Sequence, residues 1–283
     1  MSLFLILISL ILLTFKGLNY GVDFKGGTLI ELRTLDNTLN ISDLRKSFSK
    51  LNLGDVTVKE FGKENDYVIK FEKKQSIEEN FIENIKIELS NDIGSIFEFR
   101  RVESVGPKVS DELLKSGIIA IALSLGAMLI YIWIRFEWQF SLGAIAAVFH
   151  DVVITLGFFS LLNFEINLSI VAAVLTIVGY SMKDTVVIFD RVRENLKKYS
   201  DIKIFEITNI SINETLSRTI ITSVTTLLAL LSIFIFGGAI LNGFSFAMIL
   251  GVIVGTYSSI YIANPILVRL NVSQKTILKE EKE

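Results

Sequence analysis

The sequence predicts a polytopic α-helical membrane protein with about six transmembrane helices. One extracytoplasmic α+β domain of ferredoxin-like order is inserted between helices 1 and 2. Three observations lead there. Of 283 residues, 51% are hydrophobic and only 20% are charged, and mean hydropathy is positive. The charges cluster: residues 17–116 hold more than half of the 28 Lys and Arg and contain no long apolar run. Inside that charged stretch the hydrophobic period switches between two and about 3.6, the mark of alternating strands and helices.

Residues 2–15 (SLFLILISLILLTF) are apolar and uncharged. As a helix they reach only ~21 Å, short of a ~30 Å hydrocarbon core. A basic leader and a small-residue cleavage site are both missing, so 1–16 reads as a first transmembrane helix, short or truncated at its start, rather than a signal peptide. In 17–116, alternating segments fall at 28–34, 56–61, 67–72 and 96–102. Helical patterns fall between them. In 42–51, Leu44, Phe48 and Leu51 share a face; in 77–89, Ile77, Phe81, Ile85 and Leu89 recur at i, i+4, with Ser76 and Glu79 forming a capping box. The order β-α-β-β-α-β is the split unit of ferredoxin-like domains. Gly26-Gly27 lacks a full phosphate-binding pattern and reads as a bulge or turn.

Gly106-Pro107 breaks the pattern, and a short polar helix at 108–116 leads into the membrane. Transmembrane helices 2–6 occupy 117–270, with apolar cores near 117–134, 140–162, 167–189, 219–236 and 244–268; 271–283 is a polar tail. Tyr131, Trp133 and Trp138 suit an interfacial belt. Gly251, Gly255 and Ser259 give the last span a small-residue packing face. The connections around Arg135 and 190–217, and the tail, carry Lys and Arg; 163–166 and 237–243 carry none. Basic loops stay inside, which places both termini and 190–217 in the cytoplasm and the 17–116 domain outside.

Composition excludes several chemistries. With no cysteine and one histidine, disulfides, thiolate catalysis and His-rich metal sites are out. No nucleotide loop, nucleophile–base pair or basic-aromatic stripe is present, so neither an enzyme nor a nucleic-acid binder is expected, and no cofactor. The informative residues are ionisable groups inside spans, each costing at least ~2.5–3.5 kcal/mol to insert. Asp184 lies well within the fourth span, roughly 9 Å before Asp190 at its cytoplasmic end. It reads either as a paired structural acid or as a protonatable carrier site. Arg218 opens the fifth span and shares a face with Thr222 and Thr226. Those hydroxyls are either packing glue or a water path. An arginine cannot give up its proton. It favours an ionised Asp184 when close, and desolvation favours a protonated one when it withdraws. His150-Asp151, mid-span three, is a second relay element or a structural pair. Lys183 points ~100° away from Asp184 around the helix, a local counter-charge or snorkelling group.

These residues resemble one family. GLNYGVDFKGGTLIEL at 17–32 is similar to the D-F-x-G-G-T signature that follows the first helix of SecD and SecF proteins, and VGPKVSDELLKSG at 105–117 resembles their re-entry segment. FHDVVITLG at 149–157, GYSMKDTVVIFDRVREN at 179–195, TLSRTIITSVTTLLALLSIFIFGG at 215–238 and GVIVGTYSSIYIANP at 251–265 resemble the SecF branch. The resemblance implies membership of the resistance-nodulation-division superfamily and a pseudo-symmetric pairing with SecD beside the SecYEG channel. It implies use of the proton gradient to draw unfolded preprotein outward after SecA has begun the push, in the bacterial cytoplasmic (inner) membrane. YajC is a further implied partner. In the family the Asp of N-D-T and the Arg of L-x-R-T are implicated in proton conduction; the matching positions are Asp184 and Arg218, with Thr222 one turn on. Lys183 departs from the pattern, standing where Asn usually precedes the Asp, and a cation there favours the ionised carboxylate. Relatives also begin with a basic stretch and a longer first helix. Proton-coupled small-molecule efflux is the alternative, disfavoured by a single outer domain and half the helix count. A passive scaffold would not need buried ionisable groups.

Overall fold

A computed structural model describes residues 2–34, 40–51, 53–60, 65–71, 81–94, 97–199 and 202–273. It divides the chain into two compact units, one of residues 20–118 and one of residues 1–19 with 119–283.

In the charged unit, α2 (Val22–Lys25) leads through Gly26 into β1 (Gly27–Thr34), followed by α3 (Ile41–Lys50), β2 (Val56–Glu60), β3 (Asp66–Phe71), α4 (Phe81–Ile93) and β4 (Phe97–Val105). The sheet order is β2-β3-β1-β4, antiparallel throughout. Gly26 and Gly27 both have positive φ, +76° and +117°. A Cβ on Gly26 would stand 3.1 Å from Ser110 Oγ and 3.4 Å from the Pro107 Cα, so both backbone angle and space call for glycine. The expected turn at the glycine pair is thus present.

Strand alternation decides the core. Ile30, Leu32, Ile69, Phe71, Val58 and Phe97 point to one face and meet Leu44 and Phe48 of α3 and Ile85 and Leu89 of α4. Asn40 caps α3, its side chain accepting from the Ser42 N–H at 3.1 Å. A register shift opposite Glu31 and Leu32 bulges β4, so Phe97 and Phe99 face the helices while Arg101 and Glu103 turn to the other side. That second face is charged: Arg33 pairs with Asp66, and Arg101 with Glu31 and Glu103. Lys70 lies on it too, and burial, with Lys59 and Lys25 nearby, pulls its ammonium down to about 8. The expected capping box at Ser76 and Glu79 lies outside the described residues.

The apolar unit contains α1 (Ser2–Phe15), α5 (Pro107–Arg135, from Ile119), α6 (Trp138–Leu162), α7 (Leu168–Lys198), α8 (Ile204–Phe236), α9 (Ala239–Ser258), a π-helical turn (Ser259–Ala263) and α10 (Asn264–Arg269). Among the described residues, five stretches are long and apolar enough to cross a membrane: α5, α6, α7, α8 and residues 240–269. The chain is a polytopic membrane protein. α1 is a shorter apolar helix of 14 residues. It lies against α6: Ser160 Oγ donates to the Leu12 and Gly17 carbonyls, and a Cβ on Gly157 would meet the Ser9 backbone at 2.9 Å.

Two elements differ from expectation. The polar helix at 108–116 and the second span are one continuous helix, because Pro at the first helical position has no N–H to lose. The 190–217 segment is mostly helix rather than loop. α7 runs to Lys198 and α8 starts at Ile204. Their polar ends are cross-linked: Arg191 bonds Glu214 at 2.7 Å and Glu194 at 2.6 Å, and Asn195 donates to Ser211 and Glu214. Charge marks this region as wet, but charged side chains at i, i+3 spacing sustain a helix.

α6, α7 and residues 240–269 form the inner layer, each about half buried along its apolar stretch, whereas α5 and α8 are mostly exposed. The outer two turn most of their apolar surface away from this chain. Gly251 lets α9 close on α7, since a Cβ there would stand 2.3 Å from Ile177. This is the packing expected of the small-residue face.

Candidate functional site

Asn167 fixes the start of α7, its side chain accepting from the Ile170 N–H at 3.1 Å. That start places Asp184 more than four turns into the helix. Asp184 is 3% exposed, and its Oδ2 is enclosed with no hydrogen-bond partner among the described residues. Lys183 Nζ lies 3.6 Å from Oδ1. The ammonium sits 4.1 Å from the centre of the Tyr180 ring. The Tyr180 hydroxyl donates across to the Thr222 carbonyl of α8 at 3.3 Å.

Arg218 lies on α8 with an exposed side chain and forms no ion pair with Asp184 within 4 Å, although its charge acts on the carboxylate. Thr222 and Thr226 spend their hydroxyls on the Thr219 and Thr222 carbonyls of their own helix. The contacts therefore lead from Asp184 to the Thr222 backbone by way of Lys183 and Tyr180, and Arg218 is not among them. Asp190, beyond them, pairs with Arg135 at 2.8 Å.

Asp151 is wholly buried and better satisfied than the sequence suggests. Oδ2 accepts from Ser181 Oγ of α7 at 2.5 Å and from Ser258 Oγ of α9 at 2.8 Å; Oδ1 lies 2.9 Å from His150 Nδ1. Ser259 Oγ, opening the π turn, is 2.9 Å from Thr185 Oγ. Asn264 Nδ2 donates to the Ser259 carbonyl at 2.6 Å, across the π turn. His150 Nε2 is enclosed without a partner among the described residues, and its ring stacks on Tyr257. Ser181 and Asp184 are i, i+3 neighbours, so the network around Asp151 and the carboxylate of Asp184 sit one turn apart along α7.

Sequence reasoning missed this hydroxyl network and the π turn. Ser258 and Ser259 sit in an apolar helix where small residues signal packing, and only a carboxylate on another helix reveals their second role. It also missed Glu137. This N-cap of α6 is 2% exposed and faces Arg193 Nη2 at 3.4 Å. Nothing in the local pattern pairs two residues so far apart in sequence.

Comparison with known proteins decides the family. Residues 85–273 match the model of the protein export membrane protein SecD/SecF C-terminal region, and residues 11–34 match the SecD/SecF GG motif. The chain belongs to the SecD/SecF family. Within it, the protein translocase subunit SecF of Rickettsia bellii (strain OSU 85-389) is 48% identical over 269 residues, covering 94% of this chain and 88% of that protein. The SecF subunit of Rickettsia rickettsii is 47% identical over 269 residues, 94% and 86% of the two chains. The crystal structure of SecDF from Thermus thermophilus, a translocon-associated membrane protein, aligns with TM-score 0.85 and 34% identity over 95% of this chain. A SecDF structure in the super-membrane-facing form aligns with TM-score 0.69 and 33% identity over 99% of it. The chain spans 37% and 38% of those two SecDF chains. Family membership makes the chain an accessory subunit of Sec protein export, and the efflux reading is not favoured.

Proposed function

We propose that this chain is the SecF half of a SecD-paired unit that uses the proton gradient to assist preprotein translocation through the SecYEG channel, with Asp184 as its proton station. One observation carries this reading. A carboxylate that is 3% exposed, with one oxygen lacking any hydrogen-bond partner among the described residues, sits deep within an apolar helix. Such a group is expensive and is usually functional. Arg218 and Thr222 on α8 complete the path, and His150 and Asp151 form its second element through Ser181, one turn from Asp184. No cofactor is needed, since a unit charge crossing 100 mV gains about 2.3 kcal/mol.

The bare faces of α5 and α8, with the exposed Arg218 on α8, are what a SecD partner would cover across a pseudo-twofold axis. α1 serves as the sixth crossing, 17–116 as the ferredoxin-like outer domain, 117–270 as the remaining helices and 271–283 as the tail. The sheet order β2-β3-β1-β4 with both helices on one face supports the ferredoxin-like assignment. Basic connections place both termini in the cytoplasm of a bacterial inner membrane. Unfolded preprotein is the cargo, YajC a further partner, and the subunit performs no covalent chemistry.

The test is preprotein export into vesicles with and without an imposed proton gradient. Asp184→Asn keeps shape and removes titration; Arg218→Met removes the cation that α8 carries. Both should insert normally, retain SecA-driven export and lose the gradient-dependent part. Full gradient-stimulated export by Asp184→Asn would show that Asp184 is a structural acid.

A further inference from the structure

The proposed proton site contains a cation nearer to the carboxylate than Arg218. Lys183 Nζ is 3.6 Å from Asp184 Oδ1, whereas Arg218 forms no ion pair with that carboxylate within 4 Å. The ammonium does not hang free. It rests 4.1 Å from the centre of the Tyr180 ring, a separation at which a partly desolvated cation is held by the ring's electron-rich face. Tyr180 precedes Lys183 by three residues and Asp184 by four, so all three share one turn of α7 surface. Its hydroxyl is committed elsewhere, donating to the Thr222 carbonyl on α8 at 3.3 Å. That carbonyl lies one turn along α8 from Arg218.

We propose that Lys183 is the resident counter-cation of Asp184, and that Tyr180 positions it while tying it to α8. The inference rests on Asp184 being the proton station. Sliding α8 along α7 breaks the Tyr180–Thr222 bond, frees the ring to turn, and takes the ammonium off the carboxylate. The same slide moves Arg218 relative to Asp184. One helix displacement therefore changes both cations that act on the carboxylate. Other groups facing α7 do not substitute for them. From α6, His150 and Asp151 are bonded to each other, and Asp151 also to Ser181 and Ser258. From α8, Glu214 is bonded to Arg191 and Asn195. α9 and the π turn contribute Tyr257 and Tyr261, which stack on one another.

The experiment uses the full chain co-expressed with SecD in membrane vesicles. Protonation of Asp184 is followed across pH by its carboxylic-acid infrared band, assigned by its loss in Asp184→Asn, alongside gradient-stimulated export. An opposite charge within 4–6 Å typically changes a carboxylate's proton affinity by tenfold or more. Lys183→Gln should therefore move the titration midpoint up by about one pH unit, with the acid limb of the export profile following. Lys183→Arg should keep both in place. Tyr180→Leu, which removes the ring beneath the ammonium, should give a smaller shift in the same direction. Tyr180→Phe should leave the midpoint unchanged and slow gradient-stimulated export severalfold. An unmoved midpoint in Lys183→Gln overturns the counter-cation role, and an unaffected Tyr180→Phe overturns the tie to α8. Retention of gradient-stimulated export by Asp184→Asn would instead defeat the underlying proton-station reading, so the two failures are separable.

Discussion

Asp184 and Asp151 are both carboxylates in the middle of apolar helices, and their surroundings give them different work. Asp151 receives two serine hydroxyls and lies beside a histidine, so its oxygens are engaged from three helices. Asp184 keeps an unpartnered oxygen. Replacing Asp151 by Ala removes the one oxygen on which both serine hydroxyls depend. It should lower unfolding stability in detergent by about 1–3 kcal/mol, the cost of a buried unmade bond. Unchanged unfolding would mean that the serines find other acceptors and the node is not structural. Asp190→Asn should be mild in export assays, because its partner Arg135 is 44% exposed and such pairs contribute about 1 kcal/mol or less. At this scale the sequence showed Asp184 and Arg218 plainly, since a charge in an apolar run stands out. It could not show that Lys183, rather than Arg218, makes the close contact. That depends on which way α7 faces α8.

Helix boundaries in the apolar unit follow a similar logic. Apolar length placed each span, but composition marked 190–217 as a loop because it is charged, whereas Arg191, Glu194, Asn195, Ser211 and Glu214 make the two helix ends hold each other. In the unit of residues 20–118, strand alternation located the four strands of the sheet to within a few residues. The bulge in β4 was not legible, as it depends on pairing with β1. Close packing makes two glycines an internal contrast. A Cβ on Gly143 would stand 2.8 Å from the Ala263 carbonyl, while one on Gly179 meets nothing within 4 Å. Gly143→Ala should cost about 1–3 kcal/mol of stability by overpacking. Gly179→Ala should be neutral or stabilising by up to about 1 kcal/mol, because helical glycine is entropically costly. Equal unfolding midpoints for the two variants would contradict the α6–π-turn contact. On the four-stranded sheet, the Lys70 ammonium is held at about 8, below its unfolded value. The resulting penalty is fully present below about pH 8 and is relieved as pH rises towards ~10.5. Amide exchange of β1 and β3, corrected for intrinsic rate, should therefore show Lys70→Met more protected than the parent at pH 7. That advantage should shrink by pH 10, and a pH-independent difference would rule out the titration of Lys70 as its source.

For the whole molecule, orientation and coupling are the claims that matter. Cysteines introduced at Lys59 of β2 and Lys203 before α8, both exposed, should label from opposite sides of the membrane. Same-side labelling would break the assignment of 17–116 to the outside. The sequence pattern reached the two-part architecture because lipid and water select such different compositions. It reached no further than one half of a paired machine, since α5 and α8 are apolar on faces that this chain leaves bare. Proton movement through Asp184 is the central claim. It is tested most directly with vesicles containing the chain, SecD and the SecYEG channel, loaded with a pH-sensitive dye and given a gradient while preprotein is in transit. Proton flow should accompany transit in the parent and fall to the background of empty vesicles in Asp184→Asn. Flow at the parental rate in that variant would contradict the account.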